Sequence, residues 1–322
     1  MTRRSVKRRL PVTEQKNPAS ASLDTKSPLQ ILRLINREDR RVAPAVEKVI
    51  PQIAQAVELI VPALSHGGRM VYLGAGTSGR LGALDAAECL PTFGTEQVIG
   101  VLAGGAEAMF HPAEGAEDNA RLAVCDLRRI NLNRRDVLVA ISASGRTGYT
   151  TAGLRYARSL GARTVGLTCN PDAPMNRLAD VVIAPVVGPE VVTGSTRMKA
   201  GTAQKLALNM LSTACMIRLG RVYSNWMTAV QLTNKKLKRR AAGILAELAG
   251  VGLAHAGMAI DRAQGNLPVA ILMLVRGISR SEAETTVHSG ANLAALIRQT
   301  RSEFPGRRQG DQKAKNPRAA RQ

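Results

Sequence analysis

The sequence predicts an α/β protein: a doubly wound, parallel, five-stranded sheet with an N-terminal helical arm before it and a small C-terminal helical bundle after it. Three observations carry this. Five short runs rich in β-branched residues, at 70–73, 97–102, 136–141, 163–168 and 180–186, are unbroken in apolar character rather than alternating, as strands covered on both faces must be. Most of the gaps between them can hold a helix, which is how parallel strands are joined. Hydrophobic residues make up 45% of the 322 and aromatics only 2%. The core is therefore Ala, Val, Leu and Ile, and the length suits one large domain with smaller additions.

Residues 1–27 carry no sustained periodicity and are expected to be flexible. Helical spacing begins at Pro28 and resumes over 42–64, where Val46, Val49, Ile50, Ile53, Val57 and Ile60 recur on one face. The arm is thus 28–65 and the sheet domain 66–225, closed by a long helical stretch over 198–218. After Trp226 the texture changes. Residues 241–249, 253–263, 267–275 and 281–298 read as helices separated by Gly, Asn and Ser, giving a helical domain over 226–302. The tail 303–322 is almost without apolar residues and is expected to be disordered.

The net charge is +21. Residues 1–9 carry five Lys/Arg and no acid, and 303–322 carry six Lys/Arg and two acids, so the tails supply +9 and the body the remaining +12. Such charge raises affinity for nucleic acid. No aromatic residues are interleaved with it and no nucleic-acid motif appears, which favours solvated charge. Cys89, Cys125, Cys169 and Cys215 are scattered without metal-binding spacing, a pattern that suits a reducing cytosol. The longest apolar run, 267–275, is too short to span a bilayer. The basic N-terminus is followed by polar residues, so a secretory signal is not expected.

Two strand-to-helix turns dominate the functional reading. The first holds Gly74, Gly76, Thr77, Ser78, Gly79 and Arg80 directly after the first strand. Its three glycines have dinucleotide-loop spacing, but the next strand runs into Gly104, Gly105 and Ala106 with no acid placed for a ribose. A phosphosugar loop, a nucleotide loop and a tight structural turn all remain open. The second turn, after the third strand, holds Ser142, Ser144, Gly145, Arg146 and Thr147. Three hydroxyls at one helix N-terminus, with backbone N–H groups, can hold a phosphomonoester without a metal. Ser144 or Thr147 could equally serve as a helix cap.

Two acids stand out. Glu88 lies towards the far end of the helix that opens at the first turn, and Glu117 lies at the start of the helix after the second strand. A carboxylate beside a desolvated sugar can move protons. A glutamate in a first helical turn can also merely offset the helix dipole. A third polar loop, running from Glu190 through Thr193, Ser195, Thr196 and Arg197 to Lys199, opens the long helix and could close over an anion. Its alternative is a capping segment with solvated charge.

Taken together, 73–82, 85–89, 114–118, 143–147 and 191–205 resemble the N-acetylmuramic acid 6-phosphate etherases, sugar-isomerase (SIS) domain enzymes of bacterial cell-wall recycling. The likeness also covers 13–17 and 35–39, and extends more weakly to about residue 300. The vertebrate glucokinase regulatory protein shares the design but carries two such domains. The resemblance implies a SIS-type fold and cleavage of the D-lactyl ether at C3 of the sugar by elimination and hydration, with no metal or other cofactor. It implies that Glu88 and Glu117 form the acid/base pair, Glu88 matching the usual proton donor, with Glu114 given no chemistry. Gly76, Thr77, Ser78, Arg80, Ser142, Ser144, Gly145, Arg146, Thr147, Ser195 and Lys199 are then the substrate-binding candidates. The implied protein is a cytoplasmic homodimer with its site at the subunit interface, a phosphosugar as its partner, and no membrane or nucleic-acid role. The alternatives are a non-catalytic phosphosugar-binding regulator and a phosphosugar isomerase. Leu90 stands where the family commonly has Pro, and Phe93 where it has Tyr.

Overall fold

The computed structural model describes residues 10–113, 115–232, 235–289 and 292–303, without the side chains of 301–303. Glu114, the basic residues 1–9 and the tail beyond 303 lie outside these residues, and so do the expectations attached to them. The chain divides into two compact units, Met1–Cys89 with Thr95–Cys215, and Leu90–Gly94 with Met216–Gln322.

The first unit opens with the arm. Ser27 caps α1 (Pro28–Asp39) in a reciprocal capping box with Gln30, and Pro28 sits where its missing N–H costs nothing. The periodic stretch expected over 42–64 is broken into α2 (Val42–Glu47) and α3 (Ile50–Ser65). Pro51 has no N–H to continue the ladder, so a new helix starts there with Val49 as its N-cap.

Five parallel strands follow: β1 (Met70–Gly74), β2 (Val98–Leu102), β3 (Val137–Ile141), β4 (Arg163–Leu167) and β5 (Val181–Ile183), in the order β2-β1-β3-β4-β5. β1 and β3 are buried along their whole length. The intervening helices are α4 (Gly76–Phe93), α5 (Ala120–Arg129) and α6 (Gly148–Ser159), and α7 (Lys199–Arg218) comes after β5. Buried tyrosines pin helices through carboxylates. Tyr72 on β1 donates to Asp85 Oδ2 of α4 at 2.8 Å, and Asp85 Oδ1 accepts from Asn209 Nδ2 (2.6 Å) and Ser212 Oγ (3.2 Å) of α7. Tyr149 on α6 donates to Asp126 Oδ2 of α5 at 2.8 Å. Burial, reinforced by these carboxylates, pushes both phenols up from their ordinary values.

The flexibility expected for 1–27 is corrected over 10–27. This stretch forms three 3-10 turns, Val12–Glu14, Pro18–Ser20 and Leu23–Thr25, and buries Thr13 and Asn17. Its anchor is a buried ion pair. Lys199 Nζ lies 2.7 Å from Glu38 Oε2, with the side chains 1% and 0% exposed. Asn17 Nδ2 donates to the same oxygen (2.9 Å) and to the Pro189 carbonyl (3.2 Å). Nearby, Glu190 turns both oxygens to the backbone N–H groups of Lys199 (3.1 Å) and Ala200 (2.9 Å) at the start of α7.

The second unit holds a short antiparallel pair, β6 (Val222–Tyr223) and β7 (Trp226–Met227), then α8 (Lys235–Ala249), α9 (Leu253–Arg262), α10 (Leu267–Arg276), α11 (Arg280–His288) and α12 (Leu293–Glu303) around their own apolar core. The compact unit begins ten residues earlier than the expected boundary at 226 and takes in 90–94. The end of α4 belongs to it because the Pro91 carbonyl accepts from Gln231 N. The helix expected over 281–298 is two helices, and Asn292 Oδ1 caps the second by accepting from Ala295 N at 3.0 Å. Among the described residues, no single helix is long and apolar enough to cross a membrane.

Lys199→Met leaves the buried Glu38 carboxylate with the exposed Arg41, 3.4 Å away, as its remaining ion-pair partner among the described residues, and should cost about 3 kcal/mol in denaturant unfolding. Lys199→Met combined with Glu38→Leu should recover part of that loss. Burial alone would raise the Glu38 carboxyl, but the Lys199 and Asn17 hydrogen bonds together with the charges of Lys199 and Arg41 outweigh it and hold it below its ordinary value. The stability this adds is present above the unfolded glutamate value of about 4.3 and is lost as pH falls through the lower native value. Acid titration of stability should lose that component in Glu38→Gln.

Candidate active site at the carboxyl edge of the sheet

β1 and β3 are neighbours in register, Gly74 opposite Ile141, and the strand order reverses between them. The turns after these two strands therefore leave the same sheet edge at the switch point, where doubly wound sheets bind ligands.

In the first turn the chain runs so close to itself that only glycine fits. A Cβ on Gly74 would lie 2.7 Å from Gly79 N, and one on Gly79 would collide with the Gly74 carbonyl. This seats the first turn of α4 directly on the strand end, with Gly76 at φ 54°. The four candidates here then separate. Ser78 is buried and its hydroxyl donates to Gln204 Oε1 of α7 at 3.0 Å. Arg80 Nε donates to the carbonyls of Ala108 (2.9 Å) and Met109 (3.0 Å), fixing the turn after β2. These two hold structure. Thr77 is half-buried, and its hydroxyl has no hydrogen-bond partner among the described residues.

The second turn is a cluster of hydroxyls. Ser142 Oγ lies 2.8 Å from Thr147 Oγ1 and 3.5 Å from Ser144 Oγ. Ser142 Oγ accepts from Gly145 N (3.0 Å), and Ser144 Oγ from Arg146 N (3.2 Å). Gly145 sits at φ 64°, where an added Cβ would run into Ala173. Thr147 occupies the N-cap position of α6 but makes no side-chain cap bond, and Ser144 bonds to Arg146, ahead of the helix. The capping role open to these hydroxyls in the sequence is thus not taken up. They stand beside the amides of a helix N-terminus, a cradle whose chemistry suits an anion. Arg146 is exposed, with no ion pair among the described residues.

In the third loop, Ser195 is half-buried one turn ahead of α7. Lys199, expected among the substrate contacts, is corrected. Its ammonium is turned inward onto Glu38 and fully buried, so it shapes the loop and cannot reach an open site.

Residues 52–158 match the glucokinase regulatory protein N-terminal SIS domain, and 126–214 match the SIS domain. The chain is 55% identical over 289 residues to the N-acetylmuramic acid 6-phosphate etherase of Edwardsiella ictaluri, covering 88% of this chain and 96% of that one. It is 52% identical over 276 residues to that of Photorhabdus laumondii (85% and 92%) and 53% identical over 289 residues to that of Vibrio vulnificus (88% and 96%). The chain belongs to the N-acetylmuramic acid 6-phosphate etherase family.

The etherase-type glutamates are placed differently from one another. Glu117 lies exposed in a 3-10 turn, Ala116–Asp118, that packs on the helix opened by the hydroxyl cradle, for a Cβ on Gly148 at the start of α6 would lie 2.9 Å from the Asp118 carbonyl. Asn119 already caps the following helix through Leu122 N at 3.0 Å. Glu88 is also exposed, but it lies twelve residues along α4 from Gly76, ~18 Å down the axis at 1.5 Å per residue. Within one chain it is not brought to the first turn.

Asn170, just past β4, escaped the sequence reading. It is 4% exposed. Its Nδ2 donates to the carbonyls of Ala143 (3.3 Å) and Ser144 (3.1 Å) inside the cradle and to Thr13 Oγ1 (3.2 Å), while its Oδ1 accepts from Val12 N (2.9 Å). The N-terminal segment is thereby strapped onto the cradle. The visible signal was a polar residue at the carboxyl end of a strand; its partners 158 residues away were not visible.

Ser144→Ala with Thr147→Ala should weaken binding of a sugar 6-phosphate by at least tenfold, since each hydrogen bond to a charged group is worth about 1.5–3 kcal/mol. Asn170→Ala should raise KM with a smaller change in kcat. Unchanged affinity in the double variant, measured by calorimetry, removes the cradle assignment.

Proposed function

We infer that this chain is a carbon–oxygen lyase that cleaves the D-lactyl ether of N-acetylmuramic acid 6-phosphate, giving N-acetylglucosamine 6-phosphate and D-lactate in cell-wall amino-sugar recycling. The observation that carries it is the identity of 49–55% to etherases of this name over nearly the full length of both chains. The hydroxyl cradle of Ser142, Ser144 and Thr147 supports the phosphate end of the substrate. Thr77 and Ser195, whose hydroxyls have no hydrogen-bond partner among the described residues, are suited to the sugar.

In the open-chain sugar the C2 proton is α to the aldehyde, so a carboxylate can remove it. Glu117, beside the cradle, takes this proton. The electron pair forms a C2–C3 double bond as the C3–O bond to the lactyl group breaks, and the departing oxygen takes a proton from a glutamic acid, Glu88. Water then adds its hydroxyl to C3 and a proton returns to C2. Because Glu88 stands so far from the first turn of its own chain, the proton donor of each site is the partner subunit's Glu88 in a homodimer. Exposed Leu84, one helical turn before Glu88, and exposed Leu29 and Leu32 on α1 supply apolar contact surface for that pairing. The phosphorylated substrate and the free cysteines, Cys125 exposed among them, suit the cytoplasm. Both glutamates favour an enzyme over a phosphosugar sensor, which has no use for an acid/base pair.

Release of D-lactate from N-acetylmuramic acid 6-phosphate by the purified protein tests the activity, and none released rejects it. Glu88→Gln should lower kcat by about 10²–10⁴ with KM little changed. Glu117→Gln should slow solvent deuterium exchange at C2. In ¹⁸O-labelled water the label should enter C3 of the sugar; label found only in lactate overturns the elimination. Mixing Glu88→Gln chains with chains carrying Ser144→Ala and Thr147→Ala should restore turnover through the one intact site of a mixed dimer. A fully active monomer by light scattering overturns the shared site.

A further inference from the structure

The helical unit contains a cavity of its own, of about 780 Å³, bounded by the 229–232 segment, α8, the end of α9 and the turn that opens α10. That volume suits a small molecule. Two cations line it, Arg221 and Lys238. Arg221 is half-buried, and neither its guanidinium nor the Lys238 ammonium has a hydrogen bond or ion pair among the described residues. Asp261 lines the same cavity and pairs with neither. Burial pulls the Arg221 guanidinium below its ordinary value with no carboxylate to offset it. The cavity also meets the N-terminus of α10, where Asn266 Oδ1 accepts from Val269 N at 3.2 Å. Ahead of it Gln264, at φ 52°, turns the chain between α9 and α10.

A guanidinium partly withdrawn from water without a counter-charge is costly. Its planar fork matches the oxygens of a carboxylate or phosphoryl group. A second cation and the positive end of a helix dipole on the same space favour the same sign of ligand. We propose that this cavity is an oxyanion site, built within the helical unit alone, that takes the carboxylate or phosphoryl group of a small soluble molecule. It does not draw on the cradle of the sheet domain and does not depend on the lyase reading.

The full chain carries one tryptophan, Trp226, on the hairpin whose first strand directly follows Arg221. Its emission reports on this unit. In the Ser144→Ala, Thr147→Ala background, where the cradle is silenced, inorganic phosphate and D-lactate are titrated separately by calorimetry and Trp226 fluorescence. At least one should bind, and the better of the two identifies the oxyanion as phosphoryl or carboxylate. Arg221→Gln in the same background should weaken it tenfold or more, and Arg221→Lys, which keeps charge but loses the fork, should fall between. Should Arg221→Gln not fold, exposed Lys238→Gln carries the test, with a several-fold loss. No binding of either anion, or binding unchanged in the Arg221 and Lys238 variants, overturns the proposal.

Discussion

The sheet domain depends on a salt bridge that water does not reach. Glu38, near the end of α1, and Lys199, the first residue of α7, are 161 positions apart in sequence and 2.7 Å apart in space. In so dry a setting each charge is tolerable because the other is present, and Arg41 adds a second ion pair at 3.4 Å to Glu38 Oε1, an oxygen that accepts no hydrogen bond among the described residues. Asn17 shares Glu38 Oε2 with Lys199 and reaches the Pro189 carbonyl, while Glu190 satisfies the amides at the head of α7. Arm, first helix and third loop are thereby fixed to one point. From that point the 12–17 segment runs to Asn170, whose amide holds the cradle backbone. The geometry of the anion site is thus set by residues far from it in sequence.

Much of the architecture could be read in the chain because its signals are local. Strands of a parallel sheet are apolar on both faces, so all five stood out as runs, and the two glycine- and serine-rich turns stood directly after the strands that place them. What could not be read depends on contacts across long separations. The start of a helix does not say whether its lysine faces water or a buried glutamate, so Lys199 read as a ligand. Ser78 has the same ambiguity, resolved by Gln204 of α7. Residues 10–27 look featureless because their order comes from Asn170, Glu38 and Pro189, not from their own periodicity. The breaks at Pro51 and at Asn292 were written in the sequence, as a residue without an N–H and as a capping amide, but the apolar spacing ran across them.

The arrangement of the two glutamates follows from the same topology. The turn bearing Glu117 packs against the helix that carries the hydroxyl turn, so the proposed base and the hydroxyls share a sheet edge. α4 carries Glu88 away from that edge, towards the end of a helix whose outer face is apolar at Leu84. Under the proposed mechanism, a folded monomer would present the hydroxyl turn and Glu117 together and still lack Glu88 beside them. In an enzyme built as proposed, association would complete the chemistry as well as add stability.

The hydroxyls of the turn are neutral, and the one cation among them, Arg146, is exposed. Ser142, Ser144, Thr147 and the amides of α6 offer directed donors but no ammonium, since Lys199 is committed elsewhere. Hydrogen bonds of this kind are short-ranged and little affected by dissolved salt, whereas the +21 charge of the whole chain acts over a Debye length of about 8 Å at physiological ionic strength. If a phosphorylated sugar is held at this turn as proposed, its capture and its retention draw on different parts of the molecule. Added electrolyte would then slow the arrival of the anion by screening the diffuse field, with a weaker effect on its lifetime, which short-ranged hydroxyls and amides would largely set.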